Sequence, residues 1–298
     1  MIEKLRDRLD VLFQTLQELG RYQLERQSEA VAQVKTDDSM EDAWAANEVF
    51  SEVDIQTERR LLAFCKEEYG EYPVISEEFN AQSQPPADAE YTIVIDPLDG
   101  TKPYLEGSDG FGISFGVMQR GRFVFGANFY PALESLYYAF ADADGVFDQN
   151  HRPIPVPTHW TSECYLSLGF YDLLREAHRS PERIQATLGG QVGNYPRSAI
   201  YIFKRILQGT TFAYMSRGAF LWDIGPSSLL LEKVGCPLLD LGGEKVNFQE
   251  LTTPPFRHPA VVALPGVERA SFLSKLQSIL APEIISEPMK TVQGTAAV

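Results

Sequence analysis

The sequence has few cysteines, a shortage of basic residues and no long apolar run. Its three cysteines, Cys65, Cys164 and Cys236, are scattered and odd in number, which excludes a disulfide framework and leaves them as small core residues. No apolar run approaches the ~20 residues of a membrane helix, so we expect no membrane partner. The first ten residues mix charges and lack the apolar stretch of a signal peptide, and we therefore expect a cytoplasmic protein.

Basic residues are also scarce relative to acids, with 26 Lys and Arg against 41 Asp and Glu and a formal net charge of −15. A nucleic-acid partner needs a basic face, so we expect none. The excess of acids is explained either by solubility or by a few acids that bind cations, and composition does not separate the two. The chain has no Gly-rich phosphate loop of a nucleotide-binding protein. Its four histidines lie outside the acidic motifs and are expected to be structural.

Hydrophobic periodicity predicts helices followed by an antiparallel meander in the first half of the chain. Apolar residues at helical spacing predict a helix over 2–27 and a second over much of 41–69, followed by a short strand at 72–80. A clean alternation of apolar and small residues then begins at 111 and predicts paired strands up to about 140.

Strands and helices alternate in the second half, beyond a proline-rich stretch at 152–157 that is the best boundary candidate. We expect strands at 164–170, 210–215, 237–241 and 259–264, and helices at 180–188, 198–207, from about Trp222, and at 267–280, with a disordered tail after Pro288. The order predicts a layered α+β or α/β fold, with an N-terminal half of helices and an antiparallel sheet (1–150) and a C-terminal α/β half (151–298).

The motif YTIVIDPLDGTKPY at 91–104 carries the clearest chemistry, because an apolar strand ends in the carboxylates of Asp96 and Asp99. The chain turns between them, so both can face one point, where a cation would relieve their repulsion. Hard oxygen ligands suit Mg²⁺ or Ca²⁺. Gly100 and Thr101 follow where a helix can begin, and their N–H groups would bind an anion beside the metal. The alternative is a simple loop with an Asx-type hydrogen bond.

Two further stretches place acids at the ends of predicted elements. Glu77 and Glu78 close a short apolar strand, where the alternative is a solvated acidic turn. Asp223 follows Trp222 at a predicted helix start, where the alternative is a helix cap. Jointly with the aspartate pair, these stretches supply the ligands of a metal and phosphate site.

Three stretches, ISEE, VIDPLDGT and WDIGPSSLLLEKVG, resemble in this order the inositol monophosphatase family. The resemblance spans roughly residues 30–245 of the chain. It implies an αβαβα sandwich and a Mg²⁺-dependent, lithium-sensitive phosphomonoesterase that acts on a small phosphate ester with two or three ions. Family members are often dimers, so a homodimer is also implied. The superfamily includes fructose-1,6-bisphosphatases, 3′(2′),5′-bisphosphate nucleotidases and histidinol phosphatases.

The resemblance also assigns metal ligands by position. Glu77 would bind metal and orient the attacking water. Asp96 would bridge two metals, the first of which is joined by the backbone carbonyl of Leu98. Asp99 and Asp223 would complete the second metal. Residues 1–150 would thus carry most of the ligands, and residues 151–298 would carry Asp223 and the residues that determine substrate specificity.

The remaining roles concern the water and the phosphate. Thr101 would accept a hydrogen bond from the water and help Glu77 to deprotonate it. The segment FSEVDIQTERRLL resembles the family's T-E-T-D helix start and implies that Asp54 lies near Thr101 and polarises its hydroxyl. Gly100 and Thr101 would hold the phosphate through their N–H groups. Further candidates are Glu78 for an additional metal, Lys35 on a loop that is mobile in the family, and Lys102.

The substrate is left open between branches of the family. Lys102, with Tyr104 and Gly107, resembles the T-K-x-[FY]-x-x-G of the nucleotidase and histidinol-phosphatase branches, whereas the inositol branch more often has T-T-N-F. Arg197 and Ser198 stand where Gly-Ser is common. A family member without catalysis, acting as a binding or regulatory subunit, is the remaining alternative. It would be favoured by loss of a metal carboxylate or of Thr101, and none is missing.

Overall fold

The computed structural model describes residues 1–34, 49–78, 89–161, 163–166, 186, 191–193, 197–254, 256–266 and 269–280. The helices within these ranges are α1 (Ile2–Asp7), α2 (Leu9–Arg26), α3 (Glu52–Tyr69), α4 (Thr101–Leu105), α5 (Ala199–Leu207), α6 (Leu221–Lys233) and α7 (Arg269–Ile279). None of them is both long enough and apolar enough to cross a membrane.

A six-stranded sheet contains the predicted meander. Its strands, in spatial order, are β3 (Val74–Ser76), β4 (Tyr91–Asp99), β5 (Gly112–Gln119), β6 (Arg122–Tyr130), β7 (Ser135–Phe140) and β8 (Phe147–Asp148). β3 pairs parallel with β4, and every later pairing is antiparallel. The alternation seen in the sequence is confirmed, and the one parallel pair makes the sheet mixed.

A second, five-stranded sheet is also mixed. In spatial order it contains β10 (Gln191–Gly193), β9 (Glu163–Leu166), β11 (Ala213–Phe220), β13 (Arg257–Ala263) and β12 (Leu238–Leu239). β10, β9 and β11 run parallel, whereas β13 is antiparallel to both β11 and β12. A short ribbon of β1 (Gln33–Val34) and β2 (Val49–Phe50) lies before α3.

The buried side chains form layers, because successive residues of a strand face opposite sides of the sheet. On β4, Ile93 and Ile95 pack with α2 and α3, whereas Val94 packs with α5 and α6. On β13, Val261 shares that central core, whereas Val262 joins α7 on the outer side. The five layers alternate helix and sheet, which confirms the expected αβαβα sandwich. The division at residue 150 stays a prediction.

Several predicted boundaries need correction in the N-terminal half. The helix expected over 2–27 is interrupted at Arg8, whose backbone departs from helical geometry with φ of −115° and ψ of 18°, and whose guanidinium binds Glu68 at 2.6 and 3.0 Å. The second helix begins only after Ser51, because this residue caps it and Val49–Phe50 is a strand. The remainder of that expectation, residues 41–48, lies outside the described residues.

The strand boundaries shift in a similar way. In the described part of the expected strand 72–80, only Val74–Ser76 is a strand, since the chain turns at the two glutamates, and residues 79–80 lie outside the described residues. The strand at 210–215 instead covers Ala213–Phe220, and the one at 237–241 is only two residues long. The helix expected at 180–188 lies outside the described residues except for residue 186, and the tail after Pro288 lies wholly outside them.

The contact between α6 and the first sheet yields a stability test at Gly126 of β6. A Cβ at this position would lie 2.0 Å from the carbonyl oxygen of Pro226 in α6, so helix and sheet would have to separate. We expect Gly126→Ala to lower the free energy of unfolding by roughly 1–3 kcal/mol in chemical denaturation. Gly110→Ala is the control, because its Cβ would meet its nearest neighbour at 3.4 Å. Equal stability of the two variants would contradict the close approach.

Candidate metal centre

Three carboxylates, two from β4 and one from the start of α6, meet at the end of β4. Asp96, Asp99 and Asp223 each place an oxygen within 4.8 Å of the others, and the first two are 1% and 4% exposed. Acids this close in a buried place can all be ionised only if a cation compensates their charge. Without a cation, some of them retain a proton. The donor set consists of hard oxygens, which are the ligands that Mg²⁺ and Ca²⁺ prefer.

The D-P-L-D segment stays within β4, with a bulge in place of the expected turn. Asp96 still pairs with Ser114 of β5, but the register shifts before Asp99 pairs with Gly112. Such a bulge redirects the strand and lets both carboxylates face one point. The Leu98 N–H donates to Asp96 Oδ1 at 3.0 Å, which fixes that carboxylate within the bulge.

Gly100 closes the turn where other residues would not fit. It adopts a left-handed backbone with φ of 89° and is followed at once by α4. A Cβ here would lie 2.8 Å from both the Gly110 carbonyl oxygen and Ser198 Cβ. The close packing brings the N-terminal end of α5 against the motif.

The start of α5 holds Asp99 from the second half of the chain. Ser198 Oγ donates to Asp99 Oδ1, and the Ala199 N–H donates to Asp99 Oδ2 at 3.2 Å. Ser198 also caps α5 by accepting the Tyr201 N–H at 3.2 Å. The resemblance marked the position of Ser198 as one that lines or supports the substrate pocket, but it did not indicate a contact with Asp99. A serine directly before an apolar helix indicates a cap, but its contact with Asp99 depends on the tertiary fold.

Asp223 serves as a helix cap and as a member of the cluster. Its Oδ2 accepts the Phe220 N–H at 3.0 Å at the start of α6, so the capping interpretation is correct. This bond does not exclude a role of Asp223 as a metal ligand. Phe220 and Trp222 stack with ring centroids 4.4 Å apart, and Arg257 lies 4.0 Å over Phe220. This packing holds the start of α6 beside the end of β4.

Thr101 and Asp54 are brought together as expected. Thr101 Oγ1 lies 2.9 Å from Asp54 Oδ1 and 3.2 Å from the Leu98 carbonyl oxygen. The other carboxylate oxygen, Asp54 Oδ2, accepts from the Ser51 N–H at 2.8 Å and the Ser51 hydroxyl at 2.5 Å. The capped start of α3 therefore delivers a buried, oriented carboxylate to the hydroxyl.

Glu77 approaches the cluster from the neighbouring strand. β3 and β4 run parallel with Ser76 opposite Ile95, so the next residues, Glu77 and Asp96, emerge side by side. The charge of Glu77 contributes to the raised pKa values of Asp96 and Asp54. The backbone N–H of Glu78 donates to Glu58 Oε1 at 3.2 Å.

Of the two lysines predicted for the site, only Lys102 is among the described residues. Lys102 is exposed in the first turn of α4, next to Thr101. Lys35 lies outside the described residues.

Burial raises the pKa values of the acids in this site. It raises the pKa of Asp99 to about 7 against the opposing hydrogen bond from Ser198, and that of Asp54 to about 6. It also raises the pKa of Asp96 well above its ordinary range, and the charges of Glu77, Asp99 and Asp223 add to the effect. Without a cation, the folded protein therefore retains protons that an unfolded chain would release.

The chain matches known proteins over most of its length. A sequence model of the inositol monophosphatase family matches residues 7–281. The inositol-1-monophosphatase of Bacillus subtilis (strain 168) is 23% identical over 230 residues, which cover 76% of this chain and 83% of that protein. The Nus factor SuhB of Xylella fastidiosa (strain Temecula1 / ATCC 700964) is 28% identical over 197 residues, or 65% of this chain and 69% of that protein.

Solved structures share the fold. An IMPase/NADP phosphatase complexed with Mg²⁺ and phosphate superposes with a TM-score of 0.74, covering 92% of this chain and 96% of that chain. Its sequence is 14% identical to this one, so the similarity concerns the fold alone.

The raised pKa values predict how the stability of the metal-free protein depends on pH. Asp99 has an ordinary pKa of 3.8 and a folded value of about 7, so between these values the folded state binds more protons than the unfolded state. The stability contributed by this proton is complete below pH 3.8 and is lost as the pH rises through 7. We expect the free energy of unfolding of chelator-treated protein to fall by a few kcal/mol across this window.

Denaturant melts from pH 4 to 8 would measure this dependence. Asp99→Asn should make it shallower, with Asp54 and Asp96 still contributing, whereas Asp144→Asn, a change in an exposed turn, should leave it unaltered. A wild-type stability that rises from pH 5 to pH 8 without metal would contradict the assignment.

Proposed function

Since the chain belongs to the inositol monophosphatase family, we propose that it hydrolyses a small phosphate monoester by a Mg²⁺-dependent mechanism at the Asp96, Asp99 and Asp223 cluster. Members of this family are metal-dependent phosphatases that act on small phosphate esters, and the chain is a phosphoric monoester hydrolase. The observation that carries the proposal is the convergence of three carboxylate oxygens within 4.8 Å, two from buried aspartates and one from the half-buried Asp223. Charge that dense requires compensation, and a divalent cation supplies it.

The residues present fit Mg²⁺. Asp96, Asp99 and Asp223 would hold the ions together with Glu77 and the Leu98 carbonyl, a set made only of hard oxygens. When bound, Mg²⁺ would lower the pKa of an attacking water and neutralise charge on the phosphate. Two or three ions remain the expected number.

Thr101 and Asp54 are proposed to orient and deprotonate the water. Because the Thr101 hydroxyl donates toward Asp54 Oδ1 at 2.9 Å, its lone pairs can accept a hydrogen bond from water. A proton could then pass from water to Thr101 and on to Asp54. The pKa of Asp54, about 6, is suited to proton transfer near neutral pH. Glu77 would share this role from the neighbouring strand.

The phosphate is proposed to lie against Gly100 and Thr101. The left-handed backbone at Gly100 turns the chain directly into α4, so successive N–H groups stand next to the carboxylate cluster. Phosphate would therefore contact both backbone donors and the ions held by the carboxylates. Glu78 and Lys35 remain candidate supporting residues. Sensitivity to Li⁺, a homodimer, a cytoplasmic location and the lack of a nucleic-acid partner also remain predictions.

A second candidate, hydrolysis of a substrate with two anionic groups such as a 3′(2′),5′-bisphosphate nucleotide, is favoured by two exposed cations. Lys102 follows Thr101, and Arg197 precedes Ser198, which bonds to Asp99. Gly100 packs against Ser198, so the two cations belong to segments that adjoin at the site. In a chain of net charge −15, cations at this location would favour a second phosphate. The histidinol-phosphatase alternative stays open.

A substrate panel tests the proposed function. Phosphate release would be measured from inositol 1-phosphate, 3′-phosphoadenosine 5′-phosphate, histidinol phosphate and fructose 1,6-bisphosphate, each with Mg²⁺ and with chelator. We expect release from at least one substrate, with Mg²⁺ only. Asp99→Asn should lower kcat about 10²- to 10³-fold, the scale on which removal of one charge-stabilising group acts, while circular dichroism shows a folded protein.

Two results would contradict the proposal. If no substrate releases phosphate with Mg²⁺, the enzyme reaction proposed for this panel is wrong. Full activity of Asp99→Asn would instead show that the site has been assigned to the wrong residues.

Arg197 offers a test of the second candidate, because its backbone is strained. Its φ of 60° is left-handed, a conformation that costs a non-glycine residue roughly 1–2 kcal/mol. We expect Arg197→Gly to raise the free energy of unfolding by about 1 kcal/mol. It should also lower kcat/KM for 3′-phosphoadenosine 5′-phosphate more than for inositol 1-phosphate, because only the former has a second phosphate.

The matched control is Arg120→Gly in the turn between β5 and β6. Arg120 is also exposed with a left-handed φ of 48°, so glycine relieves similar strain there without changing the site. The kcat/KM ratio of the two substrates should stay the same in this variant. A ratio unchanged in Arg197→Gly as well would rule out a contact between Arg197 and the second phosphate.

A further inference from the structure

Gln23 is a polar side chain enclosed by the helical layer below the candidate site. It is 0% exposed near the end of α2, on the face that also buries Leu16 and Leu19. Its Nε2 donates to the carbonyl oxygen of Pro97 at 2.8 Å and lies 3.4 Å from the Thr57 hydroxyl. A buried amide is costly unless it is bonded, so the contact with Pro97 is the main compensation for its burial.

The Pro97 carbonyl belongs to the peptide unit between the two acids of the motif. Because a peptide unit is planar, its C=O and N–H move together. The C=O of this unit accepts from Gln23, and its N–H, on Leu98, donates to Asp96 Oδ1 at 3.0 Å. Any rotation of the unit would therefore move the Asp96 carboxylate, and the Leu98 carbonyl that follows it.

The same end of α2 contacts the other side of the motif. The backbone oxygen of Gln23 accepts the Tyr104 hydroxyl at 2.7 Å. One turn later, Gln27 Nε2 donates to the carbonyl oxygens of Tyr104 and Ser108 at 3.1 and 2.9 Å. α2 thus contacts the chain both before and after Gly100, and Gln23 is the residue whose side chain reaches the segment between the carboxylates.

Stability alone does not account for the Gln23 amide. Its Oε1 is buried and has no hydrogen-bond partner among the described residues, a deficit that typically costs about 1–3 kcal/mol. A methionine has similar length and no such unpaired atom, although it would leave the Pro97 oxygen without the Gln23 donor. Gln23→Met therefore exchanges one unpaired acceptor for another, and the two costs nearly cancel.

We propose that Gln23 is a positioning residue for the metal centre, which fixes the Pro97–Leu98 peptide unit and thereby the direction of Asp96 and of the Leu98 carbonyl. The inference rests on the proposed function, since these two groups are proposed ligands. Gln23 itself touches neither ion nor substrate. Its effect is to reduce the freedom of two ligands before the ion arrives, as hydrogen bonds behind metal ligands do in general.

The test compares Mg²⁺ binding and stability in full-length protein. Calorimetry would give the Mg²⁺ dissociation constant of the wild type, of Gln23→Met and of Gln14→Met, an identical change at an exposed position of the same helix. We expect the constant to rise about 10- to 100-fold in Gln23→Met, the range found for residues behind metal ligands. The midpoint of denaturant unfolding without metal should change little, and Gln14→Met should match the wild type in both measurements.

Activity provides a second readout. In Gln23→Met, half-maximal phosphate release should require a correspondingly higher Mg²⁺ concentration, while KM at saturating Mg²⁺ stays unchanged. Gln23→Leu likewise removes the donor and adds no titratable group. It should weaken Mg²⁺ binding at least as much as Gln23→Met, and it provides the test should the methionine variant not fold.

The outcomes separate this inference from the proposed function. If the wild type binds Mg²⁺ and both Gln23 variants bind it equally well, the positioning role is wrong and the proposed function stands. A loss of stability without any change in the Mg²⁺ constant would make Gln23 a purely structural residue and overturn the inference. If the wild type binds no Mg²⁺, the proposed metal centre fails and the inference fails with it.

Discussion

The repulsion among buried carboxylates at the end of β4 is the constraint on which the site depends. Asp96, Asp99 and Asp223 meet there, with Glu77 on the adjacent strand. A fold that brings like charges together in a buried place must orient groups that compensate them. The surrounding structure compensates part of this negative charge. The charge that is left uncompensated explains why the site suits a divalent cation.

Helix N-termini provide the compensation that the protein itself contains. Asp54 bonds to the backbone at the start of α3, Asp99 to the start of α5, and Asp223 to the start of α6. The positive end of a helix dipole stabilises a negative charge, and each bond also fixes the direction of one carboxylate. The αβαβα layers place these three starts around one strand end, since α3 lies on one face of the first sheet and α5 and α6 lie on the other.

Much of the fold and of the acid cluster could be predicted from the sequence, because both depend on local patterns. Alternating residues revealed the meander, and acids at the ends of predicted elements indicated Asp96, Asp99 and Asp223. The contacts of Gln23 and Ser198 could not be predicted, since each joins segments more than 70 residues apart. The break at Arg8 was also missed, because the apolar stripe continues through it.

The central claim is that the raised pKa values of the carboxylates and the binding of a cation have one cause, the burial of several carboxylates at one place. Mg²⁺ titration calorimetry near pH 6.5, in two buffers with different ionisation enthalpies, measures the affinity for Mg²⁺ and the number of protons released on binding. Because a metal ion displaces protons from its ligands, the account predicts that binding releases protons, and that fewer are released at pH 8.5. Mg²⁺ binding without proton release at pH 6.5, or no binding at all, would contradict it.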